Sequence, residues 1–239
     1  MKLDILAFGA HPDDVELSCS GTLFNAVKEG KMVGIIDLTR GELGTRGSVK
    51  LRAEEAALAA EILGIHVRKN LDFSDGFIFN TKENQLEIIQ HIRTHQPEIV
   101  FCNAVQDRHT DHPKASAVVR DACFLSGLQK IKTCGEDGSH QIAWRPKAVY
   151  SYIQWDNLQP DFVVNISASI DAKMAAVAAY KSQFYNPESN EPDTPISSQS
   201  FFESIRYRAA DLGRLVNMDY AEGFNSERLL AVESIFDLK

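Results

Sequence analysis

Apolar runs alternate with amphipathic stretches through the first half of the chain. The runs Asp4–Gly9, Val33–Leu38, Val67–Leu71 and Ile99–Asn103 read as strands. The third is the weakest, because Arg68, Lys69 and Asn70 are polar. Between the strands lie helical patterns. Residues 18–29 end at Gly30, and residues 48–63 end at Gly64, a suitable C-terminal stop. Residues 82–95 carry Leu86, Ile89 and Ile92 on one face and stop before Pro97. Residues 113–126 begin with Pro113, well placed in a first turn, and repeat Ala115, Val118, Ala122 and Leu125. The second half is less regular. Residues 148–153 and 162–166 read as strands, and 170–183 and 198–215 as helices. Residues 184–197 are rich in Pro, Asn and acidic side chains and read as a long loop, a candidate lid.

Strands separated by helices make βαβ units. The expectation is an α/β fold with a mainly parallel sheet, helices on both faces and right-handed crossovers. No repeat or linker divides the chain, so residues 1–239 are expected to form a single domain. The net charge of −8 argues against nucleic acid or an anionic membrane as partner, since both favour a basic surface. No apolar run has the length of a transmembrane helix, and the N-terminus lacks the features of a signal peptide. A cytoplasmic protein is expected. The cysteines, Cys19, Cys102, Cys123 and Cys134, form no CxxC and are read as unpaired.

The chemistry concentrates in two places. The stretch GAHPDDVEL directly follows the first strand and sets His11, Asp13, Asp14 and Glu16 close together. Burying such charge is costly unless it is paired or bound to a metal. The second stretch, QDRHTDH, follows the fourth strand with His109, Asp111 and His112. Ligands bind at the carboxyl ends of parallel strands, so both stretches face one edge of the sheet and can converge. His11, Asp14 and His112 make a plausible zinc set, with a fourth position left for water. Fe2+ could occupy the same ligands. Asp13 is placed to take a proton from that water. His109, with Asp111 to orient and charge it, could stabilise an oxyanion or protonate a leaving amine. Taken alone, HxDD also fits an exposed acidic turn; the second cluster at the matching edge favours the metal. His66, His91, His95 and His140 have no such company and read as surface or structural residues. Gly41, Gly44 and Gly47 permit a tight loop, and no GxGxxG follows the first strand.

The motifs GAHPDDVEL and QDRHTDH resemble the LmbE-like, PIG-L-type zinc N-deacetylases, and the resemblance extends over nearly the whole chain. It implies a Rossmann-like three-layer fold and removal of acetyl from an N-acetylglucosamine conjugate, a small molecule. It also implies His11, Asp14 and His112 as zinc ligands, Asp13 as general base, and a charged His109 stabilising the tetrahedral intermediate. Relatives commonly form hexamers, so a homo-oligomer is expected. The segments LTRGELGTRGSVKLRAEEAALAAEILGI, RKNLDFSDG, AAYKSQF and YAEGF are similar to the branch of the family that deacetylates N-acetylglucosaminyl malate for bacillithiol. Malate brings two carboxylates, for which Arg46, Arg52 and Arg108 are candidates, Arg52 and Arg108 foremost. The rival readings are a deacetylase or amidase of another N-acetylglucosamine conjugate, such as a mycothiol-type compound or a chitin fragment, and a non-catalytic sugar- or nucleotide-binding module.

Overall fold

The computed structural model describes residues 1–237. It contains β1 (Ile5–Gly9), α1 (Asp14–Lys28), β2 (Val33–Thr39), α2 (Val49–Leu63), β3 (Val67–Phe73), α3 (Lys82–His95) and β4 (Ile99–Cys102). These are followed by α4 (Asp111–Ser126), β5 (Ala148–Tyr152), β6 (Phe162–Asn165), α5 (Ile170–Ala178), α6 (Gln199–Arg214) and β7 (Ala221–Ser226). The strands form one sheet in the order β3-β2-β1-β4-β5-β7-β6. β1 through β5 pair in parallel, while β7 lies antiparallel to both β5 and β6. The fold is α/β and Rossmann-like, with helices on both faces.

β1 shows how one short sequence feeds both layers, because successive side chains of a strand point to opposite faces. Leu6 and Phe8 join a core with Ile36, Ile88, Ile92 and Val118, beneath α3 and α4. Ile5 and Ala7 face the other way, against Val15, Cys19 and Leu23 of α1. A third cluster joins α2, α5 and α6 through Ala59, Leu63, Met174, Val177 and Ile205. β1 and β4 are neighbours, and the connections leave them in opposite directions across the sheet. A crevice at the carboxyl ends of two such strands is the standard ligand position in an open α/β sheet.

Three elements differ from the sequence pattern. α1 begins at Asp14 rather than 18, so the carboxylate-rich stretch occupies its first turn. Acidic groups are favoured there by the helix dipole. α5 stops at Ala178, not 183. Beyond it, Ser182 donates to the Glu55 carboxylate through N and Oγ (2.7 and 2.6 Å), and Gln183 donates to the Arg46 carbonyl (3.0 Å). These contacts with α2 and the preceding loop turn the chain away from the helix. β7 carries no run of β-branched residues; it is held by pairing on both edges and by Phe224, packed 5.0 Å from Phe101 and 5.3 Å from Phe162. Among the described residues no helix is long and apolar enough to cross a membrane.

Candidate active site

The end of β1 and the N-terminus of α1 meet in a tight turn. Asp13 occupies the residue before the helix at φ 120°, a conformation rare outside glycine. Its side chain makes no cap to the helix. Instead it accepts from Arg52 Nη2 at 2.8 Å, and the same guanidinium nitrogen donates to the Pro12 carbonyl at 2.6 Å. Burial, opposed by Arg52 and reinforced by the Asp14 charge, pushes the Asp13 carboxyl up to about 7. Gly41 makes room for the arginine: at φ +64° it lies so close that a Cβ there would stand 2.0 Å from Arg52 Nη1. Arg52, expected to meet a substrate carboxylate, is only 5 % exposed, and the carboxylate it meets is that of Asp13.

Asp14 lies between the two imidazoles. Its Oδ1 is 3.1 Å from His112 Nε2, and its Oδ2 is 3.5 Å from His11 Nδ1. Gln154 and Asn103 also donate to it, at 2.9 and 3.0 Å. His11 Nε2 stands 3.0 Å from Asp75 and 3.5 Å from Asp111, and His112 Nδ1 stands 2.9 Å from Asp107. His109 stacks on His112 at 4.9 Å between centroids and meets His11 edge-on at 4.6 Å. So the structure brings His11, Asp13, Asp14, His109, Asp111 and His112 to one place. Among the described residues two groups, His11 with His109 and His112, and His11 with Asp75 and Asp111, each have donor atoms within 4.8 Å of one another.

One expectation about His109 needs correcting. The Asp111 carboxylate does not orient it; Oδ2 accepts from the Gly76 amide at 2.6 Å and faces His11. The Asp111 backbone amide donates to His109 Nδ1 at 3.2 Å instead. Burial, then the charges of His11 and His112, hold its pKa below the ordinary 6.5. The charges of Asp14 and Asp111 favour the protonated ring but are outweighed. With Nδ1 accepting, the proton of a neutral ring sits on Nε2, ready to be donated.

The donor chemistry fits a divalent cation. Burial alone would drive protons off His112, yet Asp14 and Asp107 outweigh it and raise the ring to about 9. His11 is raised well above 6.5 against the same penalty, by Asp111, Asp14 and Asp75. The pocket therefore has more carboxylate than fixed positive charge. Among the described residues, Asp111 Oδ1 is buried with no hydrogen-bond partner and has Lys114 at 3.7 Å. A cation held by His11, Asp14 and His112 would supply the missing charge.

The cluster forms the foot of a cavity of about 470 Å³. Its walls come from the 43–46 segment, the 194–196 segment and α6. Arg46 and Arg108 line it, and the Arg108 guanidinium lies 4.1 Å above the Trp155 ring. The 184–197 loop is tied down by Arg46 Nη2 to Ser189 Oγ at 2.5 Å and the Gly47 amide to Glu191 at 2.6 Å. Asp75, Asp107, Asn103 and Gln154 were not singled out from the sequence. Asp75 follows β3, Asn103 and Asp107 follow β4, and Gln154 follows β5, so the carboxyl-end rule that located His11 also reaches them.

The chain matches the GlcNAc-PI de-N-acetylase (PIG-L) family over residues 6–123. It belongs to that PIG-L, LmbE-like family, with the fold and the site at the sheet edge as described. Among the particular proteins it is similar to is the diacetylchitobiose deacetylase of Thermococcus kodakarensis. The two are 30 % identical over 191 residues, 75 % of this chain and 70 % of that one. The crystal structure of the conserved protein TT1542 from Thermus thermophilus shares 38 % identity at a TM-score of 0.84, covering 97 % of this chain and 98 % of that one. A 4-oxalmesaconate hydratase of Pseudomonas putida is 26 % identical over 236 residues, 92 % of this chain and 88 % of its own.

Proposed function

We propose that the protein is a zinc-dependent N-deacetylase of N-acetylglucosamine conjugates, with N-acetylglucosaminyl malate of the bacillithiol route as its substrate. The observation that carries this reading is Asp13, buried, turned out of its helix and held by Arg52 beside the His11, Asp14 and His112 cluster. Simple binding needs no such base. His11, Asp14 and His112 would hold the metal, which as a Lewis acid supplies acidified water and a polarised carbonyl. Asp13 takes the proton of the attacking water as its oxygen adds to the acetyl carbonyl carbon. A general base with a pKa near the working pH suits that role. His109 donates through Nε2 to the developing oxyanion. The C–N bond then breaks, Asp13 returns its proton to the glucosamine nitrogen, and acetate leaves. Arg108, exposed at the cavity wall over Trp155, is the cation for a malate carboxylate, whereas Arg46 is buried and donates to Ser189.

The test is mass spectrometry of zinc-loaded protein incubated with N-acetylglucosaminyl malate, diacetylchitobiose and N-acetylglucosamine in competition. Loss of one acetyl from the malate conjugate ahead of the others is expected, with sensitivity to chelator. Preference for diacetylchitobiose would keep the reaction and replace the substrate. No acetate from any conjugate, together with water addition to an unsaturated carboxylate, would put the hydratase chemistry of the Pseudomonas putida relative in its place.

A further inference from the structure

The two imidazoles beside Asp14 are wired in opposite senses. His11 turns Nδ1 towards Asp14 and Nε2 towards Asp75 at 3.0 Å, with Asp111 farther from that nitrogen at 3.5 Å. His112 turns Nε2 towards Asp14 and Nδ1 towards Asp107. Each outer carboxylate then uses its second oxygen on backbone. Asp75 Oδ2 accepts from the Leu43 amide at 2.8 Å. Asp107 Oδ2 accepts from the amides of Trp155 and Asp156, at 2.7 and 3.3 Å. Leu43 and Trp155 both line the cavity, Leu43 in the segment after β2 and Trp155 in the segment after β5.

The geometry points to Asp75 and Asp107 as a pair of positioning residues that fix opposite tautomers in His11 and His112 and tie each ring to its own wall of the substrate cavity. This rests on the reading of those histidines as metal ligands. A ligating histidine whose outer nitrogen donates to a carboxylate has its ring orientation set and its basicity raised. Here the same carboxylate is itself anchored by a cavity wall. Both are buried: Asp75 is 7 % exposed, and the Asp107 side chain 1 %. An Asp→Asn change keeps the shape but leaves only one acceptor oxygen, so the imidazole and the wall amide can no longer both be served.

Three measurements on the full chain test the proposal. Long-range 15N–1H NMR of the zinc-loaded wild type should show His11 protonated at Nε2 and His112 protonated at Nδ1. The same tautomer at both rings would overturn it, and this measurement needs no variant to fold. Zinc affinity, by competition with a chelator, should weaken by about 10- to 100-fold in Asp75→Asn and in Asp107→Asn. Affinity within twofold of wild type in both variants would reduce the carboxylates to ordinary structural groups. Hydrogen exchange should be faster at the Leu43 amide in Asp75→Asn alone and at the Trp155 amide in Asp107→Asn alone; unchanged exchange at both would refute the tie to the walls. None of these readouts depends on acetate release, so the substrate reading can fail without this one.

Discussion

Replacing Arg68 with methionine tests how the charge beneath the candidate site is balanced. Arg68 grips Asp37 with two parallel bonds, Nε to Oδ2 and Nη2 to Oδ1, both 3.0 Å. It also donates to Glu16, to the Tyr180 hydroxyl at 2.9 Å and to the Ala56 carbonyl at 3.2 Å. Asp37 is 3 % exposed and Glu16 is fully buried. Burial already pushes the Asp37 carboxyl up to about 6, with Arg68 opposing the rise. Methionine fills similar volume but leaves two buried carboxylates without their cation. Removing one partner of a buried ion pair costs about 3–5 kcal/mol. For a chain of this length that is a fall in melting temperature of roughly 6–20 °C. Urea unfolding at pH 7 followed by far-UV circular dichroism measures the loss. The triple variant Arg68→Met, Asp37→Asn, Glu16→Gln removes the stranded charges and should regain more than half of it. A loss under about 1 kcal/mol in the single variant, the scale of an exposed pair, would refute the reasoning, as would a triple variant no more stable than the single.

Asp13→Asn should lower turnover by about 10²–10⁴-fold, the usual worth of a general base, while elemental analysis finds the metal content unchanged; full activity would remove Asp13 from the mechanism. Gly41→Ala should displace the Arg52 guanidinium that a Cβ would meet at 2.0 Å, so turnover should fall together with stability, and an unchanged kcat would mean the Arg52 contact does not position the base. His91 is held down at about 4, by burial first and then by the positive charges of Lys69 and His95, with Glu136 opposing. Between pH 6.5 and 4 the unfolded chain therefore takes up a proton that the native state refuses, so stability falls with acid by roughly 2–3 kcal/mol. His91→Gln should flatten that part of the wild-type pH–stability curve, and an identical pH slope in the two proteins would contradict it.

The sequence by itself determined the layered architecture and the sheet edge at which its two polar motifs meet. The strands β1, β2 and β4 are short apolar runs closed by turns, and α2 and α3 end at a glycine and before a proline, so local preference and burial agree. Because parallel strands present their carboxyl ends to one edge, His11, Asp14 and His112 could be brought together on paper although about a hundred residues separate the motifs. Tertiary structure decided what periodicity cannot express. Arg68 weakens the strand pattern of β3 when read alone; it belongs there because Asp37 on β2 and Glu16 on α1 need a buried cation. β7 has almost no strand character of its own and is made a strand by two neighbours. Arg52 reads as a hand for the substrate until the fold gives it Asp13. Asp75 and Asp107 are ordinary loop acids until each is found between an imidazole and a cavity wall. Their partners lie on other elements, and the energy of a buried charge depends on which opposite charge comes within about 3 Å, a quantity that exists only once the chain is folded.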